Sequence, residues 1–209
     1  MKKVFFLILF FYVQVNALES FDSRVIKNIK NKYGSRAYKR LTVWDKMLIK
    51  AKNAKTLNKL KYVNDFFNKV KYMTDIKHWH KVDYWATPYE FVGTGAGDCE
   101  DYAIAKYFAL IKLGIPENKL RISYVKLLRQ RTRFEEAHMV LAYYHKPNST
   151  PIILDNVNKR LKLVSQRKDL KLIYSFNANG LYQSKTRGQG QVKVGSNNLH
   201  KWKNLVDKL

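Results

Sequence analysis

The sequence predicts an α+β domain: N-terminal helices packed with an antiparallel sheet, and a nucleophile at a helix N-terminus. Three observations carry this. Apolar residues recur at helical spacing through residues 19–80, β-branched apolar runs follow from residue 121 onward, and a glycine series leads into a lone cysteine where a helical pattern begins.

The first residues read as a secretory signal peptide, 1–17. Lys2 and Lys3 form a positive n-region, Val4 to Val13 an apolar h-region, and Val15-Asn16-Ala17 a small-residue cleavage site. The apolar run is short for a bilayer span and no second run of about 20 apolar residues follows; a retained anchor is the alternative. Residues 18–209 then form one exported domain, large enough for a core of its own.

Val25, Ile26 and Ile29 recur at helical spacing, as do Met47, Leu48 and Ala51, then Tyr62, Val63, Phe66, Phe67 and Val70. With breaks at Gly34 and Asn53 to Asn58, this predicts two or three helices. Residues 81–97 read as a loop, through Trp85-Ala86-Thr87-Pro88 and the series Gly93, Gly95, Gly97. Residues 98–113 read as a helix stopped by Gly114 with Pro116 beyond. Strand patterns follow at Arg121 to Leu128, His138 to Tyr144 and Ile152 to Val157, with one or two more within Leu161 to Val164 and Leu170 to Phe176. Gln130 to Glu136 reads as a charged turn. Ser184 to Asn198, rich in Gly, Lys, Gln and Asn, reads as a loose basic tail, and Leu199 to Leu209 as a short helix.

The net charge of +24 invites a nucleic-acid reading, but the lysines are spread along the chain and no nucleic-acid motif is present. An exported chain also has little access to nucleic acid. An acidic protein partner or a membrane surface fits better, and a generally lysine-rich proteome is the plainest explanation.

Cys99 is the only cysteine. A lone thiol in an oxidising compartment has no disulfide partner and is a liability unless it reacts. A buried inert thiol is the bland alternative, against which the flanking Asp98, Glu100 and Asp101 argue. At a helix N-terminus the dipole favours the thiolate, the species that attacks, and free backbone N–H groups there can hold an oxyanion. His138 opens a strand with Val140, Ala142 and Tyr144 on its face. Asp155, in Ile152-Ile153-Leu154-Asp155-Asn156, is costly inside an apolar strand unless paired. A hairpin in which Tyr144 pairs with Ser149 puts His138 directly opposite Asp155, where the carboxylate can hold the imidazole tautomer. The three acids beside Cys99 oppose a thiolate. They are either first-turn helix acids or, with Asp98 and Glu100 turned away from the sulfur, ligands of calcium, which takes oxygen donors. Trp85 is a candidate oxyanion donor through its indole N–H, with a plain aromatic-core role as the alternative.

Tyr84-Trp85-Ala86-Thr87-Pro88, Gly95-Ala96-Gly97-Asp98-Cys99-Glu100-Asp101-Tyr102-Ala103-Ile104-Ala105-Lys106, Ala137-His138-Met139-Val140 and Leu154-Asp155-Asn156 together resemble the bacterial transglutaminase-like cysteine proteinases. The resemblance covers roughly residues 70–182, the expected catalytic core, and leaves the N-terminal helices and basic tail unmatched. It implies a papain-like/transglutaminase-like fold, a catalytic triad of Cys99, His138 and Asp155, and calcium held by Asp98 and Glu100, with Asp101 assisting. It further implies a periplasmic endopeptidase that cuts the N-terminal region of a large surface adhesin and promotes biofilm dispersal. It implies too an inner-membrane receptor for cyclic di-GMP as the inhibitory partner. A true transglutaminase-type acyl transferase and a non-catalytic periplasmic binding protein are the competing readings.

Overall fold

The computed structural model describes residues 20–129, 134–147, 149–184 and 191–209; the signal-peptide reading of residues 1–17 lies outside them. Helix α1 (Ser23–Ala51) starts on Asp22, whose carboxylate accepts from the Arg24 N–H at 2.7 Å. It kinks at Gly34, where φ is 78°, a conformation that a side chain resists. Ala37, Leu41, Trp44, Leu48 and Ala51 make its buried stripe at helical spacing. Helix α2 (Thr56–Phe67) buries Leu60, Val63 and Phe67. Strands β1 (Lys71–Tyr72) and β2 (Ala96–Gly97) form a short parallel bridge, with α3 (Asp75–Trp79) between them in the chain.

The expected loop at 81–97 contains a helix, α4 (Pro88–Thr94). Its cause is local. The Thr87 hydroxyl accepts from the Glu90 N–H at 3.1 Å, the Glu90 carboxylate accepts from the Thr87 N–H at 2.9 Å, and Pro88 takes the first helical position. Helix α5 (Cys99–Lys112) is buried on nearly every side from Glu100 to Leu110, as a central helix must be.

The sheet holds β3 (Leu120–Arg129), β4 (Phe134–Tyr143), β5 (Ile152–Leu154), β6 (Lys162–Leu163), β7 (Leu170–Asn177), β8 (Gly180–Ser184) and β9 (Gln191–Gly195), in the order β6-β5-β4-β3-β7-β8-β9. Every neighbouring pair is antiparallel. Helices cover one face, where Ile122, Met139, Leu141, Leu154 and Phe176 join the main core. Val125, Val140, Ala142 and Ile153 form a smaller cluster on the other face, with Leu170 and Leu172 against it. The segment expected to be loose, 184–198, instead contributes β9, paired with β8. Helix α6 (His200–Val206) returns to bury Trp202 against Tyr107, Phe108 and Phe176.

The β4–β5 hairpin corrects the expected register. Tyr143 pairs with Ile152 and Leu141 with Leu154, a shift of two residues. The observed ladder starts at Tyr143; the Tyr144 N–H goes to the Lys119 carbonyl on the β3 side, at 2.8 Å. Because the pleat repeats every two residues, an even shift keeps every side chain on its face. Continued past Leu154, the observed register sets Asp155 beside Val140, diagonal to His138 and on the same side of the sheet.

Candidate active site

Cys99 is the first residue of α5, and the loop before it is held from three directions. Tyr72 pairs with Gly97, and the Met73 N–H donates to the Gly97 carbonyl at 2.8 Å. Asp101, fully buried, accepts from the Ala86 N–H at 2.9 Å and the Asp98 N–H at 3.3 Å. Gly97 is required by proximity: a Cβ there would lie 2.3 Å from Asp101 Oδ2 and 2.6 Å from the Phe91 ring. The Tyr102 hydroxyl ties α5 to the Val70 carbonyl at 2.5 Å.

The Cys99 thiol donates to Glu100 Oε2 at 3.1 Å. Burial, then the charge and hydrogen bond of Glu100, push the thiol well up, while the Met139 N–H works the other way. The sulfur therefore lies against β4 at the residue that follows His138. Trp85 is buried and stacked on Phe176, with ring centroids 5.7 Å apart. Its Nε1 is buried without a hydrogen-bond partner, so the indole carries an unused donor.

Around the start of α5 the acids gather. Ligand atoms of Asp98, Cys99 and Glu100, of Asp75, Asp83 and Glu100, and of Asp75, Asp98 and Asp101 lie within 4.8 Å of one another. Burial, and then Glu100, push Asp98 up to about 10; burial pushes Asp75 up to about 6. Oδ1 of each is buried without a partner. Unpartnered carboxylate oxygens in excess of any local cation fit a hard divalent ion such as calcium. Asp75 belongs to this cluster but was not anticipated. In sequence it is a first-turn acid of a short helix, and nothing distinguishes it from an ordinary cap. Asp101 is in the same cluster, but its two oxygens already hold backbone N–H groups.

His138 and Asp155 meet as the face argument requires, His138 Nε2 to Asp155 Oδ1 at 2.8 Å, both buried. The same Oδ1 accepts from the Val157 N–H at 2.9 Å, and Oδ2 accepts from Arg167 Nη2 at 2.8 Å. Arg167 is itself clamped by Asp169, at 2.9 and 2.8 Å. Burial alone would raise the Asp155 carboxyl, but His138, Val157 and Arg167 together hold it well below the usual carboxylate range. Behind the pair, Asn68 Nδ2 donates to the Asp155 carbonyl and Lys106 Nζ to Asn68 Oδ1, each at 2.8 Å. Lys106 is fully buried, and that burial lowers it to about 7 despite the Asp155 charge. Arg167 and Asn68 were not singled out from sequence, and Lys106, the end of the motif around Cys99, was given no role. Only Lys106 carries a signal there, as a lysine inside the apolar run Ala103-Ile104-Ala105-Lys106-Tyr107-Phe108.

A cysteine at a central helix start, set against the strand that presents a carboxylate-bound histidine, is the frame of a cysteine proteinase. Residues 32–176 match the family model for the bacterial transglutaminase-like cysteine proteinases. The chain belongs to this family. The structure is similar to that of Legionella pneumophila LapG in two states. The EGTA-treated form has a TM-score of 0.75 at 39% identity, over 88% of this chain and 95% of that one. The calcium-bound form has a TM-score of 0.74 at 39% identity, over 90% and 99%. Among curated protein sequences, none matches the chain. As a bacterial transglutaminase-like cysteine proteinase, the protein has the mixed helix and antiparallel-sheet fold of that group.

Proposed function

We propose that the protein is a calcium-dependent cysteine endopeptidase with Cys99 as nucleophile, His138 as general acid and base, and Asp155 as the group that orients His138. The buried 2.8 Å contact between His138 and Asp155 carries this reading, because it serves no hydrophobic purpose and costs free energy unless both groups are needed. In the reaction His138 takes the thiol proton and Cys99 Sγ attacks the scissile carbonyl. The oxyanion is received by the Cys99 backbone N–H and the free Trp85 Nε1–H. His138 then gives its proton to the departing amine, and water, deprotonated by the same imidazole, hydrolyses the thioester. Asp155 stabilises the imidazolium without itself taking the proton.

Asp98, Glu100 and Asp75 would hold the calcium, with Asp101 fixing the loop beneath them. When bound, the ion would offset the carboxylate charge that keeps Cys99 a thiol. The calcium-bound state of LapG supports this reading, as do the unpartnered oxygens of Asp75 and Asp98. The family membership and the signal-peptide pattern support a periplasmic protease. Its substrate is the N-terminal region of a large surface adhesin, whose release disperses biofilm, and an inner-membrane cyclic di-GMP receptor is its inhibitor.

The test is cleavage of the N-terminal region of the largest repeat-rich adhesin of the same organism, with calcium, with EGTA, and by Cys99→Ala. A single cut that needs both calcium and Cys99 is expected. Incorporation of an amine in place of water, with no cut, would instead identify an acyl transferase. Trp85→Phe keeps the stack on Phe176 and should lower kcat by about 100-fold with little change in KM; an unchanged kcat removes Trp85 from the oxyanion site.

A further inference from the structure

A second concave surface lies beyond the His138–Asp155 pair. Leu127 is two residues along β3 from Val125, the direct partner of His138, and so shares their face. There a groove of about 780 Å³ opens between the end of β3 and the segment 157–169. Lys159, Arg160, Lys162 and Lys168 line it. The other charged groups along it are already paired, Arg129 with Glu136 at 2.6 Å and Asp169 with Arg167 at 2.8 Å. Among the described residues none of the four basic side chains has an acidic partner.

Like charges gathered around a concavity repel one another and raise the local concentration of anions. The form of the groove selects among anions. Leu127, Leu128 and Val157 put apolar surface between the cations, which suits the methylenes of a polypeptide. Among the described residues no aromatic side chain lines it for base stacking, and a concave trough does not lie flat on a bilayer. The groove also adjoins the catalytic pair directly. Val157, on its wall, donates its N–H to Asp155, and Arg167, between the lining residues Gln166 and Lys168, bonds the same carboxylate.

We propose that this groove binds an acidic segment of the protein substrate, away from the scissile bond; the proposal rests on the endopeptidase reading above. Peptide specificity then has two parts, the chain at Cys99 and a run of Asp or Glu held by Lys159, Arg160, Lys162 and Lys168. Fluorescein-labelled decaglutamate tests it by anisotropy on the whole protein, with decaglutamine as the neutral control. Decaglutamate should bind with a steep salt dependence. The fourfold variant Lys159→Glu, Arg160→Glu, Lys162→Glu, Lys168→Glu should weaken it by about tenfold or more. An equal charge change on α1 and just past its end, Lys27→Glu, Lys39→Glu, Lys46→Glu, Lys52→Glu, should alter it by about twofold at most. Carbodiimide coupling of decaglutamate to the unmodified protein gives the same answer without a variant, since amide links should map to Lys159, Lys162 or Lys168. Equal weakening in both variants, or links spread over α1, would overturn the proposal. So would groove-dependent binding of anionic vesicles or single-stranded DNA without binding of decaglutamate. Binding is read equally in Cys99→Ala, so a wild-type protein that binds decaglutamate but cuts no substrate counts against the protease reading alone.

Discussion

Two groups of buried charge, one at Cys99 and one at His138, are balanced in opposite ways. On the sheet side, Asp155 has a partner at each oxygen, and Arg167 is held by a second carboxylate. On the helix side, Asp75, Asp98, Glu100 and Asp101 share a few ångströms and two of their oxygens are unpartnered; the neighbouring Asp83 is paired with Lys201. Folding by itself is enough to balance the charges around His138. Around Cys99 the carboxylates outnumber their partners, and added positive charge would relieve them. The two halves should therefore respond to the same kind of substitution with opposite signs.

The largest effect is expected on the sheet side. Arg167→Met or Asp155→Asn leaves a buried charge with its partner removed, and should cost roughly 3–5 kcal/mol in urea unfolding. A loss under about 1 kcal/mol would mean that the network is not held as tightly as its distances imply. Next is the helix side. Calcium at about 100 times its Kd should add roughly 3 kcal/mol, a Tm rise of about 6–12 °C for a chain of this size. Asp98→Asn should raise the Tm of the calcium-free protein, because a costly buried carboxyl is gone, and should abolish most of the calcium response. A lower calcium-free Tm in Asp98→Asn would erase the contrast between the halves.

The smallest effect is a pH slope from Lys106, which faces Asp155, with Asp65 and Lys159 as the more distant charges acting on it. Its folded value, near 7, lies below its unfolded value of about 10.4. Between these the unfolded chain binds the extra proton, so Lys106 contributes stability that grows as pH rises from 7 toward 10. Lys106→Met removes that dependence. The stability of the wild type relative to Lys106→Met should climb by roughly 1 kcal/mol per pH unit over pH 7–9. A difference that stays flat with pH would show that Lys106 remains charged in its buried site.

Much of this was legible because the decisive signals are local. The glycine approach to Cys99, the Gly114 stop and the alternation of β4 each follow from a few neighbouring residues. The His138–Asp155 contact was legible for a further reason: the pleat forgives an even error in register, so the wrong pairing still gave the right face. α4 was legible too, in Thr87-Pro88-Tyr89-Glu90, but the surrounding glycines drew the segment toward a loop. Arg167 and Asp75 were not legible. Each becomes significant only through a partner far along the chain, Asp155 for one and Asp98 for the other, and a lone Arg or first-turn Asp has many ordinary uses. The β9 strand was hidden because Val192 and Val194 alternate within a run dominated by Gly, Lys, Gln and Asn, at an edge of the sheet where little hydrophobic patterning is needed.

The packing of Gly97 on Asp101 bears on how this chain can vary. Any side chain at 97 meets the Asp101 carboxylate at 2.3 Å, and any shortening of Asp101 strands the N–H groups of Ala86 and Asp98. Neither position can change first, so the two should drift only as a pair, through intermediates that fold poorly. In a saturation library selected for folding, position 97 should return glycine alone. Position 101 should relax only in clones that have found new acceptors for both amides.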